Sequence, residues 1–493
     1  MTHPLSRRIQ HVLALDPGAR AIEFDGQWLS WGQLSALSRR IADLITRDDA
    51  AGPTRVGILL RNRPVHVAAL LGVLSAGGTV VVVNPARGDQ RTRADLAALQ
   101  LPVLIGTAED IATLGVDSPA TTVVTVSDLD TAPQVAPARI VNADVGRPGV
   151  AVWMLTSGTT GPPKRVDLTY DMLTHSVIGK DPAHAPAPTE LRRGVAIVNS
   201  PLVHVGGVFR VLLCIAEARP FVLLPKFDLE RWAAAVREHR PRAASLVPAA
   251  LRMVLHSELT RDDLSSLRAV TSGTAPLSAE DADAFTDKFG VPVLTSYAAT
   301  EFGGGVASWT LADHRKYWQH KRGSVGRANP GAQLRVVADD GTALPADQPG
   351  LLEVKPAQLG PDADWIRTTD LARIDADGFV WILGRSDQAI IRGGFKILPD
   401  DVRAALETHP AVRGAVVIGR PDARLGEIPV GLVELRDNAH TDAAELVEFL
   451  GSRLARYEIP DVLDIVPALP RTPSGKPDLG AVREHFARVR DGG

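Results

Sequence analysis

Nine consecutive residues carry four hydroxyls, two glycines and a cation: Thr156, Ser157, Gly158, Thr159, Thr160, Gly161, Pro162, Pro163 and Lys164. Hydroxyls and exposed backbone N–H groups donate to phosphate oxygens, and a lysine adds charge. Glycines let the backbone approach closely. The spacing does not fit the G-x-x-x-x-G-K-[ST] loop of P-loop nucleotidases. By composition alone, the same residues make either a phosphate cradle or a polar surface turn.

The full string is more specific than its composition. It closely resembles the phosphate loop of the adenylate-forming superfamily, which holds acyl-CoA synthetases, adenylation domains and firefly-type luciferases. Further segments resemble that family's motifs in the same order. His204-Val205-Gly206-Gly207, after Pro201-Leu202-Val203, resembles its acid-pocket motif, and Gly303, Gly304 and Gly305 fall where the family also lines that pocket. Gly273, Ala275 and Pro276 resemble the segment lying along adenine. Ser296-Tyr297-Ala298-Ala299-Thr300-Glu301 resembles the Y-G-x-T-E motif. The resemblance implies Tyr297 beside adenine, Thr300 near the α-phosphate and Glu301 as a Mg²⁺ ligand, a role that suits a carboxylate.

The resemblance continues through the last quarter of the chain. Asp370, in Arg367-Thr368-Thr369-Asp370, matches the residue that takes both ribose hydroxyls. Gly384-Arg385-Ser386-Asp387 resembles the hinge, with Arg385 on the nucleotide and Asp387 as the pivot. Arg392-Gly393-Gly394-Phe395-Lys396 resembles the loop that guides the pantetheine of CoA. Arg471-Thr472-Pro473-Ser474-Gly475-Lys476 resembles the segment carrying the mobile catalytic lysine. The chain is thus identified as a member of the superfamily, in its acid–CoA ligase branch.

The elements that must position these groups alternate. Residues 56–60, 79–83, 103–105 and 122–126 read as short buried strands, with helical spacing over 64–76 and 90–99. That alternation predicts α/β architecture with mostly parallel sheets. A second such block has strands near 195–199, 221–224 and 244–247 and helices near 232–239 and 277–289. Short strands and turns follow from about residue 333. Residues 131–148 read as a surface connection. The last hundred residues return to helix and strand, which predicts a small α+β domain. The resemblance sets the boundaries: an N-terminal multi-subdomain part over 1–383, a hinge at 384–388 and a mobile lid over 389–493.

Composition narrows the class. With 493 residues, 45% hydrophobic and 23% charged, the chain has the balance of a globular protein of several subdomains. A net charge of −3 gives no basic face for nucleic acid. The single cysteine, Cys214, excludes an intramolecular disulfide and fits a cytoplasmic protein. The uncharged run 67–83 is short for a membrane span and is broken by Gly77-Gly78, so no membrane anchor is expected. Nine lysines against 45 arginines suggest a GC-rich genome such as an actinomycete's, where ligases of this family serve natural-product pathways.

The implied reaction uses ATP, Mg²⁺, CoA and a carboxylic acid. Lys164, Lys476 and Mg²⁺ at Glu301 would neutralise two meeting anions. CoA would then attack the acyl-adenylate after the lid turns at Asp387. The small residues at 206–207 and 303–305 suggest a bulky acid. Three positions depart from the family: Arg165, Ala298 and Thr369 add atoms near the expected nucleotide site. Arg165 could hold the outer phosphates of ATP or fill their space. The second case would leave an enzyme that only forms thioesters on an acyl-adenylate supplied by a separate adenylating enzyme. A stand-alone enzyme loading a carrier protein and a nucleotide-binding relic are further alternatives.

Overall fold

The computed structural model describes residues 2–46, 54–116, 118–139, 146–155, 164–182, 184–392, 395–422, 424–472 and 475–488. The expected α/β architecture is present, with a large N-terminal part and a small C-terminal domain.

The first block is a seven-stranded sheet. Its central strands Thr122–Thr125, Val103–Gly106, Arg55–Leu59, Thr79–Val83 and Val150–Leu155 are parallel, with an antiparallel strand at each edge. The uncharged run 67–83 resolves as expected into the end of helix Pro64–Ser75, a turn with Gly77 at φ +78°, and the buried strand Thr79–Val83. That helix is buried on every side, which explains its lack of a polar face. Among the described residues no helix is long and apolar enough to cross a membrane.

The second block holds a five-stranded sheet, Ala243–Ser245, Ala269–Ser272, Val293–Ala299, Gly304–Ser308 and Arg327–Ala328. Its first three strands are parallel and the rest antiparallel. A four-stranded sheet joins Arg20–Phe24 and Gln27–Ser30 to Phe221–Leu223 and Ala196–Val198. The change of pattern near residue 333 marks an antiparallel sheet of Gln333–Val337, Gly350–Lys355, Ile366–Ile374 and Val380–Arg385. A turn, Ser386–Gln388, then leads into the C-terminal sheet, which is built on the long hairpin Val412–Asp422 and Gly426–Leu435.

Helices Pro4–Leu13, Trp31–Thr46, Val205–Ala216 and Pro248–Leu255 were not anticipated, although their buried residues recur at helical spacing. The surface connection at 131–148 also contains a short strand, Gln134–Ala136, that its polar composition hid.

His66 sits on the buried helix with its Nδ1 accepting the Arg61 N–H at 2.9 Å, and its Nε2 has no partner among the described residues. Burial pushes it down to about 4. Between pH 6.5 and 4 the unfolded chain therefore binds a proton that the folded chain refuses, so stability falls as pH falls through that window. His66→Asn keeps an acceptor for Arg61 without the titration. Thermal melts should show a smaller loss of Tm between pH 7 and pH 5 in H66N than in the wild type; equal losses would remove His66 from the acid response.

Candidate active site

Strand Val293–Ala299 ends at the turn Thr300–Phe302, which presents Glu301 in an exposed position. On the same strand, the Tyr297 hydroxyl donates to Asp370 Oδ2, joining the five-stranded sheet to the antiparallel one. Asp370 and Arg385 are register partners on adjacent strands. Burial raises the Asp370 carboxyl, opposed by the Tyr297 hydrogen bond and Arg385. Burial and the adjacent Asp370 charge raise the Tyr297 phenol. A carboxylate with a donor on one oxygen keeps capacity for others.

Arg385 bridges to Asp387 in a fork, Nε to Oδ1 at 2.8 Å and Nη2 to Oδ2 at 2.6 Å. Arg385, followed by a hydrogen bond from Thr369, holds the Asp387 carboxyl below the usual range. Thr369 thus touches the expected pivot.

Lys476 comes from the other side, on the C-terminal domain. Its carbonyl accepts from the Thr472 N–H at 2.7 Å, which closes a tight turn. Its ammonium lies within electrostatic reach of Glu301, Arg385 and Asp370, and burial lowers it, opposed by the two carboxylates. A Cβ at Gly475 would lie 3.9 Å from Val247, so this turn rests on the start of helix Pro248–Leu255. Nearby, Arg252 bridges Asp281 at 2.7 Å and Glu407 of the C-terminal domain at 3.3 Å, while Arg436 Nη1 meets His256 at 2.7 Å.

His204 caps helix Val205–Ala216 at its start. Its Nε2 is buried with no hydrogen-bond partner among the described residues. Burial and the nearby Lys476 charge push it down to about 4, so it is neutral at pH 7. A neutral imidazole suits a wall against which an acyl group packs.

The structure therefore brings together Tyr297, Glu301, Asp370, Arg385, Lys476 and His204. Thr156, Ser157, Gly158, Thr159, Thr160 and Gly161 lie outside the described residues, as do Gly393 and Gly394. Lys164 is exposed at the start of the strand Arg165–Thr169. In the C-terminal domain, Arg392 donates to the carbonyls of Tyr457 and Ile459, and Phe395 stacks on Tyr457 with centroids 4.6 Å apart.

Gly273 is packed against Ser296: an added Cβ would stand 2.7 Å from its Oγ. The adjacent Thr274 has φ +71°, a left-handed conformation that sequence reading missed because it usually falls to glycine. Ala298, by contrast, is not among the described non-glycine residues with positive φ, so its methyl group carries no backbone strain.

One expectation is corrected and another given its setting. Arg165 does not stand free. Its Nη2 pairs with Asp95 at 2.6 Å, its Nη1 donates to the Val82 carbonyl at 2.9 Å, and its plane lies over Trp153. The side chain is only 9% exposed, so it works as a tie across the sheet edge. Nor do the pocket glycines all leave room. A Cβ at Gly207 would lie 2.2 Å from the Pro201 carbonyl, one at Gly303 2.6 Å from Met172, and one at Gly304 3.2 Å from Ser176 and Gln358. Gly305 faces Asn329 at 3.4 Å. Of the five, Gly206 alone has nothing within 4 Å.

Sequence reading also missed Arg210, the one charged side chain of helix Val205–Ala216. It is partly buried, and its Nη2 donates to Thr271 Oγ1 at 3.0 Å. A lone cation in an otherwise uncharged helix was the available signal.

A two-part α/β chain whose small domain sets a lysine against a carboxylate, beside an aspartate held by a tyrosine and neighboured by an arginine, has the arrangement of an adenylate-forming enzyme. The chain belongs to the AMP-binding enzyme family, which matches residues 9–361, with the AMP-binding enzyme C-terminal domain matching 401–476. It is 30% identical to an indoleacetate–CoA ligase of Aromatoleum aromaticum over 98% of both chains. It is also 30% identical to a feruloyl-CoA synthase of an Amycolatopsis species, over 96% of this chain and 97% of that one. Its fold superposes on the ATP-bound crystal structure of MatB from Rhodopseudomonas palustris with a TM-score of 0.82 at 25% identity, covering 99% of this chain and 100% of that one. These matches show the superfamily and the acid–thiol ligase class expected from the motifs.

The Arg165 tie is testable as a pair. Removing either partner leaves a shielded charge behind, so R165A and D95A should each destabilise by about 1–3 kcal/mol. The double variant should fall short of their sum by about 1 kcal/mol or more in denaturant unfolding. Strict additivity would show that the pair is incidental.

Proposed function

We propose that this chain is a cytoplasmic acid–CoA ligase that activates a bulky, ring-sized carboxylic acid as its acyl-adenylate and then transfers the acyl group to CoA. The observation that carries this reading is Lys476 of the C-terminal domain facing Glu301, Asp370 and Arg385, with neutral His204 beside it.

In the first half-reaction a carboxylate oxygen attacks the α-phosphate of ATP, and pyrophosphate leaves. Two anions must approach, and Lys476 and Lys164 supply positive charge for that approach. The Tyr297 hydroxyl holds Asp370 and the charge of Arg385 favours its ionised form, ready to accept from the ribose hydroxyls. Glu301, an exposed carboxylate, fits Mg²⁺, which favours one or two carboxylates together with phosphate oxygens. When bound, that ion would neutralise phosphate charge.

In the second half-reaction the CoA thiolate attacks the mixed anhydride and AMP leaves. A thiol pKa near about 8.5 makes its deprotonation a modest step, so no single strong base is needed. The lid turns about Asp387, withdrawing Lys476 and presenting the Arg392-Gly393-Gly394-Phe395-Lys396 segment. The polar seam at Arg252–Glu407 and His256–Arg436 supports such a turn, since ion pairs and hydrogen bonds re-form in water more readily than an apolar interface does. The size of the acid is supported by the open side of Gly206 and by relatives named for indoleacetate and ferulate. With Arg165 committed to Asp95, nothing in its placement favours an enzyme limited to the second half-reaction.

Lys476→Ala separates the two halves. ATP–pyrophosphate exchange with a cognate acid should fall about 10²-fold or more. Thioester formation from the synthetic acyl-adenylate and CoA should stay within about threefold of the wild type, because the transferred group is then already activated. Equal losses in both assays would sink the division of labour.

A further inference from the structure

The helix that begins at His204 carries a cation that the reaction above does not use. Arg210 is the one charged residue of Val205–Ala216. Its neighbours Val208, Val211 and Leu212 are buried in the main core, and its own side chain is partly buried. Burial lowers its pKa, and no carboxylate appears among the charges acting on it. Among the described residues its single hydrogen bond goes to the neutral Thr271 hydroxyl, at 3.0 Å. Arginine offers five donors, and a shielded guanidinium without a counter-ion is costly. Most other shielded arginines here are paired: Arg165 with Asp95, Arg252 with Asp281 and Glu407, Arg403 with Asp400 and Glu407.

Its position shows what it could meet. Gly206 and Arg210 are four apart on the helix and share a face. A Cβ at Gly206 would meet nothing within 4 Å, and Arg210 lies one turn further along the same face. Thr271, which accepts from Arg210, lies on strand Ala269–Ser272 immediately before the Ser272-Gly273 segment. The reacting carboxylate belongs at the other end, near His204 and Lys476. Six residues at about 1.5 Å each separate the His204 and Arg210 Cα atoms by roughly 9 Å along the helix, about the length of a substituted ring.

We propose that Arg210 and Thr271 form a subsite for a second anionic group on the acid, so that the preferred substrate is dianionic, with a distal carboxylate about one ring away from the carboxylate that is activated. This rests on the ligase reading above. The substrate supplies the counter-ion that the fold withholds. An acid ending in a hydrocarbon would leave the guanidinium buried and unpaired, which gives discrimination from both attraction and penalty.

The test uses matched pairs on one framework: 4-carboxyphenylacetate against 4-methylphenylacetate, and 3-(4-carboxyphenyl)propanoate against 3-(4-methylphenyl)propanoate. ATP- and CoA-dependent AMP release is measured with the full-length wild type, Arg210→Met and Arg210→Gln. The glutamine variant keeps a donor for Thr271 and carries the test if the methionine variant does not fold. The wild type should prefer the carboxylated member of a pair. Both variants should lose roughly 30-fold or more of that preference in kcat/KM, mostly through KM, while turnover of the methyl member holds or rises. A wild type that activates the methyl acids but not their carboxylated partners would overturn the proposal and leave the ligase reading standing. So would a preference unchanged by both substitutions. Absence of CoA-dependent AMP release with every acid, alongside a folded protein, would overturn the ligase reading itself and this subsite with it.

Discussion

The site hangs on one carboxylate that is kept out of bulk water. Asp370 receives the Tyr297 hydroxyl from the five-stranded sheet, and Arg385 on the adjoining strand lends it charge while forking onto Asp387. Burial alone would push Asp370 toward its neutral form, and its partners oppose that shift. Two sheets and the connection to the small domain therefore meet around this one carboxylate and its polar cluster. Loss of any member would leave a shielded charge uncompensated, so the geometry around Lys476 depends on all of them.

Much of this was legible in the sequence, for identifiable reasons. The buried parallel strands announce themselves because a strand covered on both faces must be apolar throughout, as Thr79–Val83 is. The order of short motifs gave the family because each carries an unusual residue set in a fixed sequence of neighbours. Helices such as Pro4–Leu13 and Val205–Ala216 do carry a helical period, with their buried residues gathered on one side, but they escaped beside the more conspicuous motifs and apolar runs. Side-chain destinations escaped as well. Nothing in the string Lys164-Arg165-Val166 says that the arginine turns back to Asp95, seventy residues earlier.

The glycines teach the same lesson. Beside a binding pocket a glycine signals either open space or a neighbour that has already taken it, and sequence does not distinguish the two. Gly303 and Gly207 belong to the second kind, with Met172 and the Pro201 carbonyl pressed close, whereas Gly206 belongs to the first. Pocket size is therefore set by what packs behind the glycines. In this chain the room lies at Gly206, near the start of helix Val205–Ala216.

The tie at Arg165 has a consequence for its neighbour. Successive Cα atoms are about 3.8 Å apart across a trans peptide. Lys164 is thus joined by one link to a residue fastened at Asp95, Val82 and Trp153. A lysine on a free loop loses backbone and side-chain freedom whenever its charge is put to use. Lys164 has already given up most of the backbone share, because the mooring beside it was fixed when the sheet folded. An arginine committed to the sheet can in this way make a neighbouring cation cheaper to aim.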